Sequence, residues 1–432
     1  MIWITLHQVL EIFRFMLVYK FGGASVSSAS AIENLTAIVS ERDGELVMVV
    51  SAFGKITNAL EEVLDCWYRG SDERFTRLRT IKEYHEDIIR SFFGTCDNLV
   101  MNDFIIRTSA LGDMLRESPS GDYDYDYDRL VSFGELASTR IVSACLESRG
   151  IPSFWADARE WLITDNIHRE ANVDFNLSAR RLRNVVSEAG GRVLVTQGFI
   201  GGTVDGAATT LGREGSDYTA AIAANLLDAG SVTVWKDVPG ILTADPLYYP
   251  GAEKLDEISF HEAIELSFYG AKVIHPKTIK PLQNKDIPLY VKSFADPGGT
   301  GTIIHGNAAS SVLKPVLIVK KKQMLVSLTP KDFSFIVEEC LSRIFAVFFR
   351  YRTKVNLIQH SAISFTICMD NCGPFVSRLL DELKEDFRVL YNDNLELVTI
   401  RHYTESIIGK HLSGRKVLVE QRSRNTVQYV VK

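Results

Sequence analysis

The sequence predicts an α/β protein with a mainly parallel sheet covered by helices on both faces, followed by a smaller α+β region. From Leu17 to about Ile304, short apolar strands alternate with helical stretches, an order typical of parallel sheets. The segment from Asp296 to Ser311 is rich in Gly, Asn and Ser, and a second series of strands and helices begins beyond it. We therefore predict a domain boundary in that segment.

Composition and charge narrow the classes of function. The chain has 432 residues, of which 46% are hydrophobic and 24% charged, which predicts two or three packed units and excludes disorder and a collagen-like fold. The 48 Lys and Arg residues against 54 Asp and Glu residues give a net charge of −6. This balance does not attract nucleic acid or an anionic membrane, so we expect small molecules or other protein chains as partners. The six cysteines lack a metal-ligand spacing and predict reduced thiols in a cytoplasmic protein.

The first residues, Met1 to Phe15, are apolar but contain Glu11 and Arg14. They match neither a membrane-spanning helix nor a secretory signal, although their apolar residues have the spacing of a short amphipathic helix. The alternative is that residues 1–15 are not native, because Met16 directly precedes the first predicted strand. We expect the native chain to begin at Met16.

In the first part of the chain, apolar runs predict strands and helical spacing predicts helices. The predicted strands are Leu17 to Phe21, Leu46 to Ser51, Arg192 to Phe199, Val232 to Lys236 and Ile287 to Val291, and the predicted helices are Ala29 to Arg42, Phe133 to Glu147, Tyr218 to Leu227 and Phe260 to Phe268. The run from Gly121 to Asp128 (GDYDYDYD) contains four mutually repelling aspartates. It predicts a solvated loop or lid, to which we assign no chemistry.

Shorter elements follow the boundary and indicate a compact α+β module. Strands are predicted at Met324 to Leu328, Ile363 to Met369, Leu395 to His402, Lys416 to Gln421 and Asn425 to Val431, and helices at Phe333 to Phe349, at Pro374 to Phe387 and, as a short helix, after His402. We expect small sheets that leave Val326, Val398 and Val430 poorly covered in an isolated module. Such exposure would favour pairing of two chains.

The first motif, Lys20-Phe21-Gly22-Gly23-Ala24-Ser25, ends a strand and precedes a helix. Adjacent glycines let backbone N–H groups approach an anion, Lys20 supplies a positive charge, and the helix N-terminus adds a partial one. The motif predicts a phosphate site, and the alternative is an ordinary tight turn.

The second motif, Gly212-Arg213-Glu214-Gly215-Ser216-Asp217, opens an alanine-rich helix. Ser216 or Asp217 can cap this helix, and Arg213 can grip a carboxylate with two parallel hydrogen bonds. Plain capping does not explain an arginine between glycines. We therefore predict an anion-binding turn.

Three more stretches place a carboxylate or lysine beside chain-bending residues: Ser132 to Glu135, Trp235 to Gly240 and Gly270 to Pro276. Each alone is compatible with a surface side chain or a turn, and together they favour a site. We interpret His275, which precedes Pro276, as structural, because phosphoryl transfer to a carboxylate needs no general base.

Eight motifs follow one another in the chain: KFGGAS, VVSAFGKITN, SFGELASTRIVS, QGFIGG, GREGSDYTAA, WKDVPGILTADP, EAIELSFYGAKVIHPKT and ADPGGTGTII. In this order they resemble the motifs of the aspartokinases, which belong to the amino acid kinase superfamily. The resemblance implies a three-layer α/β/α catalytic domain over residues 16–307. It also implies that the chain phosphorylates L-aspartate with ATP and Mg²⁺. This reaction is the first step of the aspartate-derived pathway to lysine, threonine and methionine. The metal would be held mainly by ATP oxygens, with no dedicated protein site.

The resemblance also assigns roles to residues of this sequence. Lys20, Lys272 and Asp217 would be catalytic, the lysines neutralising the transferring phosphates and Asp217 orienting the site. Glu135 would bind the α-ammonium of aspartate, Arg213 its α-carboxylate, and Ser216 would belong to the same subsite. The nucleotide would contact Lys20, Gly22, Gly23, Ser51, Asp237 and Lys272.

Two positions depart from the family pattern. Ala24 stands where a threonine is usual, and Leu247 stands where an arginine that contacts the nucleotide phosphates is usual. Lys236 either replaces that charge or is a solvated side chain. Leu247 motivates one alternative function, a catalytically weak amino-acid sensor. Another amino acid kinase, acting on glutamate or N-acetylglutamate, is kept as the other alternative.

Residues 312–432 resemble the paired ACT regulatory modules of the family, with the second module shortened. The resemblance implies a homodimer or larger assembly through this region and feedback by lysine or threonine. Asp332 replaces a usual glycine near the expected position of the effector carboxylate, so we expect weak effector binding.

Overall fold

The computed structural model describes residues 16–95, 98–271, 274–306, 308, 314–332, 334–371, 373 and 375–432. The predicted extension 1–15 and Lys272 lie outside these residues. The chain divides into two compact units, the first drawn from Met1–Ile241, Asp256–Ile264 and Val273–Ala309, and the second from Leu242–Leu255, Glu265–Lys272 and Ser310–Lys432.

The first unit is built on a sheet that contains the five predicted strands and three strands that the sequence analysis did not predict. Its strands are β1 (Met16–Phe21), β2 (Glu45–Val50), β3 (Ser153–Ala156), β4 (Val193–Gln197), β7 (Ser231–Lys236), β8 (Glu257–Ser259), β9 (Leu289–Ser293) and β10 (Thr302–His305), and a separate hairpin holds β5 (Ile200–Gly202) and β6 (Ala208–Thr210). The eight strands lie in the order β3-β4-β2-β1-β7-β9-β10-β8. Every pairing is parallel except that of β9 with β10, so the predicted mainly parallel sheet is confirmed.

Helices follow the strands as the alternating pattern predicts. They are α1 (Ala29–Ser40), α2 (Ile56–Tyr68), α3 (Glu73–Phe93), α4 (Leu99–Met114), α5 (Tyr123–Ser148), α6 (Ala158–Trp161), α7 (Phe175–Ala189), α8 (Gly215–Leu226), α9 (Phe260–Tyr269) and α10 (Pro276–Gln283), with a single 3₁₀ turn at Gly23–Val26. Leu46, Met48 and Val50 of β2 join a core that includes residues of α1 to α5. The intervening Val47 and Val49 are also fully buried. Because side chains alternate across a strand, the sheet is covered on both faces.

The prediction of a solvated loop at Gly121 to Asp128 is wrong. Asp122 caps α5, its Oδ1 accepting hydrogen bonds from the backbone N–H groups of Asp124 and Tyr125, and the rest of the run forms the first turns of that helix. Asp126 and Asp128 are fully buried. Their partners include side chains from distant segments, Tyr68 for Asp126 and Thr210 for Asp128. The repulsion that the sequence suggests is therefore offset by hydrogen bonds that a local pattern does not reveal.

The second unit contains one antiparallel sheet. Its elements are β11 (Val316–Pro330), α11 (Glu338–Arg350), β12 (Val355–His360), β13 (Phe365–Asp370), α12 (Val376–Asp386), β14 (Phe387–Arg401), α13 (Glu405–Leu412), β15 (Val417–Arg422) and β16 (Thr426–Val431). The six strands lie in the order β12-β13-β11-β14-β16-β15. The predicted order of elements is confirmed except for β12, a strand that the sequence analysis did not predict.

The expectation of separate small sheets with poorly covered valines is wrong. The two long central strands, β11 and β14, pair from Val316↔Arg401 to Pro330↔Phe387 and join both halves of the unit. Val326, Val398 and Val430 are at most 1% exposed. The chain therefore covers these side chains by itself, and they give no reason for two chains to pair.

Candidate active site

The Gly22-Gly23 pair lies where β1 ends and the 3₁₀ turn begins. A Cβ on Gly23 would stand 2.6 Å from the carbonyl oxygen of Gly54 and 2.9 Å from that of Ala52, and a Cβ on Gly22 would stand 3.4 Å from Lys20 Nζ. Gly23 is thus required by a close approach of two backbone segments. Gly22 leaves space beside the Lys20 ammonium group.

Lys20 and Asp217 form a buried ion pair. Lys20 Nζ lies 2.7 Å from Asp217 Oδ1, and Lys236 Nζ lies 3.2 Å from Asp217 Oδ2. Asp217 is 3% exposed. Burial alone would raise the pKa of this carboxyl, but the positive charges of Lys20 and Lys236 outweigh burial and hold the pKa below its ordinary value. The carboxylate therefore fixes two lysines at one point.

Asp217 and Ser216 are in the first turn of α8, and both are buried. The prediction that one of them caps the helix is wrong, because the N-cap is Glu214, in the left-handed region at φ 54°, without a side-chain capping bond. A Cβ on Gly198 would lie 2.5 Å from Ser216 Cβ. Gly198, in the QGFIGG motif, thus lets this turn pack against the end of β4.

Glu135 projects from α5 and is 2% exposed. Its Oε2 has no hydrogen-bond partner among the described residues. Desolvation by burial raises the pKa of Glu135 to about 8, against a smaller lowering by its own backbone, the backbone of Ala52 and the Thr57 side chain. A buried carboxylate oxygen without a partner is costly to ionise and is a candidate site for a cationic ligand.

Close packing brings Glu135 near the carboxyl end of β2. A Cβ on the neighbouring Gly134 would lie 3.1 Å from Ala52 Cβ, so α5 approaches the segment after β2 more closely than most residues permit. Ser138 Oγ donates to the Ser51 carbonyl at 2.8 Å, and the Ser51 N–H donates to the Phe21 carbonyl at 3.1 Å. Ser51 thus connects α5 with the end of β1.

Arg213 and Asp237 are exposed. The turn that carries Arg213 is tied to α5, because Thr210 Oγ1 donates to Asp128 Oδ1 at 2.6 Å. His168 Nδ1 lies 2.8 Å from the other oxygen of the same carboxylate. The buried Asp128 therefore holds the helix of Glu135 and the segment before Arg213 together.

The structure brings together Lys20, Gly22, Gly23, Asp217 and Lys236. Lys236 was not among the predicted site residues, although the sequence analysis considered it as a replacement for the charge of the missing arginine. His275 is structural as predicted, since its Nδ1 accepts the backbone N–H of Lys277 at 3.2 Å and caps α10. Lys272 lies outside the described residues.

No described helix is long and apolar enough to cross a membrane. Within the described part of the chain, no three His, Cys, Asp or Glu side chains cluster as a metal site. The described cysteines Cys66, Cys145, Cys340 and Cys368 are buried and free.

The first unit thus combines a mainly parallel α/β sheet, a lysine–aspartate–lysine cluster at the end of β1 and, on α5, a buried glutamate with one oxygen unpartnered among the described residues. Residues 15–293 match the amino acid kinase family. The chain is 33% identical over 418 residues to lysine-sensitive aspartokinase 3 of Escherichia coli strain K12, covering 92% of this chain and 88% of that one. It is 32% identical over 374 residues to chloroplastic aspartokinase 1 of Arabidopsis thaliana, covering 82% and 63%.

Solved structures agree with the sequence comparison. Escherichia coli aspartokinase III in complex with lysine and aspartate matches with a TM-score of 0.82, 29% identity and 96% coverage of both chains. The same enzyme in complex with aspartate and ADP matches with a TM-score of 0.81 and the same identity and coverage. The chain belongs to the aspartokinases, and the resemblance stated from the sequence is confirmed.

Proposed function

We propose that the protein transfers the γ-phosphoryl group of ATP to the side-chain carboxylate of L-aspartate. A carboxylate oxygen of aspartate attacks the γ-phosphorus, the bond from that phosphorus to the β,γ-bridging oxygen breaks, and 4-phospho-L-aspartate and ADP form. The attacking carboxylate is already ionised near neutral pH. Catalysis therefore depends on holding two anions together and in line.

The buried, unpaired Oε2 of Glu135 is the observation that carries the proposal. An α-ammonium group would supply both the missing hydrogen bond and the opposite charge. An acylated nitrogen would supply a hydrogen bond without the charge, and a phosphate would bring a charge of the wrong sign. The exposed Arg213, on the turn tied to α5 through Asp128 and Thr210, would take the α-carboxylate. A free amino acid is therefore favoured over N-acetylglutamate.

Lys20 would stabilise the negative charge on the transferring phosphoryl group, and Asp217 would hold Lys20 in place. Gly22, Gly23, Ser51 and Asp237 would shape the nucleotide site, with Ser216 in the aspartate subsite. Lys272 would add a second charge to the phosphates, as the family resemblance implies.

We infer that Mg²⁺ takes its ligands mainly from ATP oxygens and water, as the family resemblance implies. When bound, the ion would neutralise charge on the β- and γ-phosphates. The protein's own part is to position the lysines around this anion.

The regulatory role of the second unit is a further part of the proposal. The Escherichia coli relative is described as lysine-sensitive, and its structure has been solved with lysine. Lysine, or alternatively threonine, would bind in residues 312–432 of this chain, pair two chains through that region and lower the activity of residues 16–307. The buried free cysteines support a cytoplasmic location.

The reaction is tested by ADP production from ATP with aspartate, glutamate or N-acetylglutamate as acceptor. We expect aspartate-dependent ADP formation, trapping of the product as aspartyl hydroxamate, and at least tenfold lower kcat/KM with the other acceptors. Preference for glutamate or acetylglutamate would show a different amino acid kinase. Lysine binding without any acceptor-dependent ADP would show a sensor instead of an enzyme.

A further inference from the structure

Asp128, on α5, is a fully buried side chain that is contacted from two other segments of the first unit. Thr210 Oγ1 donates a hydrogen bond to its Oδ1 at 2.6 Å. The backbone N–H of Arg169 donates to Oδ2 at 3.0 Å, and His168 Nδ1 lies 2.8 Å from the same oxygen. A buried carboxylate is costly unless its oxygens are satisfied. Asp128 therefore ties three segments together at one point.

The loop of residues 165–172 supplies two of these contacts and is itself closed by hydrogen bonds. The Asp165 carboxylate accepts the backbone N–H of Asn172 at 2.9 Å and the Asn172 side-chain amide at 2.7 Å. Arg169, within the loop, is in the left-handed region at φ 68°, a conformation that is costly for a residue other than glycine. The hydrogen bond from its N–H to Asp128 helps to hold this conformation.

The same loop lies against the turn that carries Arg213. The Ala171 N–H donates to the Thr210 carbonyl at 3.0 Å, three residues before Arg213 in the chain. Gly212 is in the left-handed region at φ 75°, and a Cβ there would stand 3.0 Å from the Arg169 carbonyl oxygen. A glycine permits this close contact. The loop and Thr210 together therefore determine where the turn of Arg213 lies.

Helix α5 also carries Glu135, the proposed partner of the α-ammonium group. Glu135 follows Asp128 by seven residues, which is two turns of an α-helix and about 10 Å along its axis. Residues at this spacing project from the same face of a helix. One helix thus presents a carboxyl group for the ammonium group and, two turns earlier, another that holds the turn of Arg213.

We propose that Asp128 and Thr210 are positioning residues that hold Arg213 at a fixed separation from Glu135, so that the site selects an acceptor by its ammonium and α-carboxylate groups together. The inference rests on the proposed roles of Glu135 and Arg213 in aspartate binding and deepens them. It predicts that the Thr210 hydroxyl affects aspartate binding only through Arg213.

Thr210→Val, which removes the hydroxyl donor and keeps the branched shape, tests the proposal. We expect the KM for aspartate to rise about fivefold, the effect of one lost hydrogen bond, and the KM for ATP to stay within about twofold of wild type. Thr210→Ser keeps the donor and should restore the KM for aspartate. Thr108→Val is the matched control, because Thr108 is a buried threonine whose hydroxyl donates within α4, to the Phe104 carbonyl at 2.8 Å. It should change neither KM.

A double-mutant cycle with Arg213→Ala separates positioning from a general loss of structure. In the Arg213→Ala background, Thr210→Val should change the KM for aspartate less than about twofold, because the group that Thr210 positions is gone. Additive effects of the two changes would overturn the proposal. An equal rise in the KM values for aspartate and ATP in Thr210→Val would do the same.

Asp128→Asn is the second variant and should show the same dependence on Arg213. Loss of folding in both Thr210→Val and Asp128→Asn would overturn the proposal and leave Asp128 as a structural residue. Titration calorimetry of aspartate without ATP makes failure of the proposed reaction separately visible. Wild type would then bind aspartate more tightly than Thr210→Val does, yet form no ADP, whereas a wild type that does not bind aspartate would overturn both proposals.

Discussion

Glu135 shows how burial can prepare a single side chain for a ligand. Desolvation is the main reason why its pKa is raised from the ordinary 4.5 to about 8. A carboxyl group with a raised pKa in the folded state costs stability as pH rises from the ordinary value to the raised one, because ionisation then takes place in a buried site. A bound ammonium group would remove that cost and restore the charged form.

Aspartate binding should therefore release a proton from Glu135. Near pH 7 the ligand-free side chain is mostly protonated, and the ammonium group of aspartate would drive ionisation. We expect the affinity for aspartate to rise as pH increases towards about 8. Calorimetric titration in two buffers of different ionisation enthalpy should show release of close to one proton at pH of about 7.

Glu135→Gln should lose this proton release and weaken aspartate binding by about one to two orders of magnitude, the cost of a missing charged hydrogen bond. Glu147→Gln is the control, because Glu147 lies exposed near the end of the same helix. Proton release that persists in Glu135→Gln would contradict the assignment.

Arg213 should act on aspartate and not on the nucleotide. A carboxylate clamp contributes about 1.5–3 kcal/mol, so Arg213→Ala should raise the KM for aspartate by about tenfold to a hundredfold and the KM for ATP little. Arg180→Ala, at another exposed arginine of the first unit, should change neither. Equal effects of Arg213→Ala on both KM values would rule out the clamp.

Helix α5 is the element where local sequence and fold disagree most. Its first turns carry repeated acidic residues, yet Asp126 receives hydrogen bonds from Tyr68 Oη at 2.8 Å, from the Ser120 N–H at 2.8 Å and from Ser120 Oγ at 2.9 Å. In the same run, Asp124 is half-exposed and pairs with Arg169. Two aspartates one helical half-turn apart therefore have different energetic roles.

Asp126→Ala should destabilise the protein more than Asp124→Ala does. The first change removes the buried carboxyl group that accepts hydrogen bonds from the half-buried Tyr68 and from Ser120, at a cost of about 1–3 kcal/mol, whereas an exposed ion pair contributes less than about 1 kcal/mol. The midpoints of thermal unfolding of the two variants provide the comparison. Equal midpoints would mean that water replaces the lost partner of Tyr68.

At the scale of the whole molecule, Val326, Val398 and Val430 are buried within one chain. Pairing of two chains therefore requires other, exposed apolar side chains. The second unit exposes Phe335, Phe349, Phe375 and Leu390, with Phe349 at 87%. Exposed apolar side chains mark an interface where they form a continuous patch. The proposed pairing through residues 312–432 is therefore tested at Phe349, the most exposed of the four, near the end of α11.

Phe349→Asp should shift the full chain from dimer towards monomer in light scattering and reduce inhibition by lysine. An effector can act through pairing only if it binds one arrangement better, and about 1–3 kcal/mol of coupling is enough. Leu99→Asp, at a side chain of the first unit that is also 87% exposed, should change neither property. A monomeric wild type that lysine still inhibits would show that regulation works without pairing.

The sequence by itself determined the mainly parallel sheet, the family and part of the strand and helix order, although it did not reveal elements such as β3 and β12. These follow from side-chain periodicity and from glycine-rich turns, which are properties of neighbouring residues. The KFGGAS and GREGSD motifs likewise predicted Lys20 and Asp217 as site residues, and the structure shows that their side chains are in contact.

Only the tertiary structure decided that Asp126 and Asp128 are buried, that β11 and β14 unite the second unit in one sheet, and that Lys236 joins Lys20 at Asp217. Each depends on which distant segments become neighbours. The strand order places β7 beside β1, although most of the first unit separates them along the chain. The strand order determines which side chains are buried and which form ion pairs, and it cannot be predicted from local periodicity.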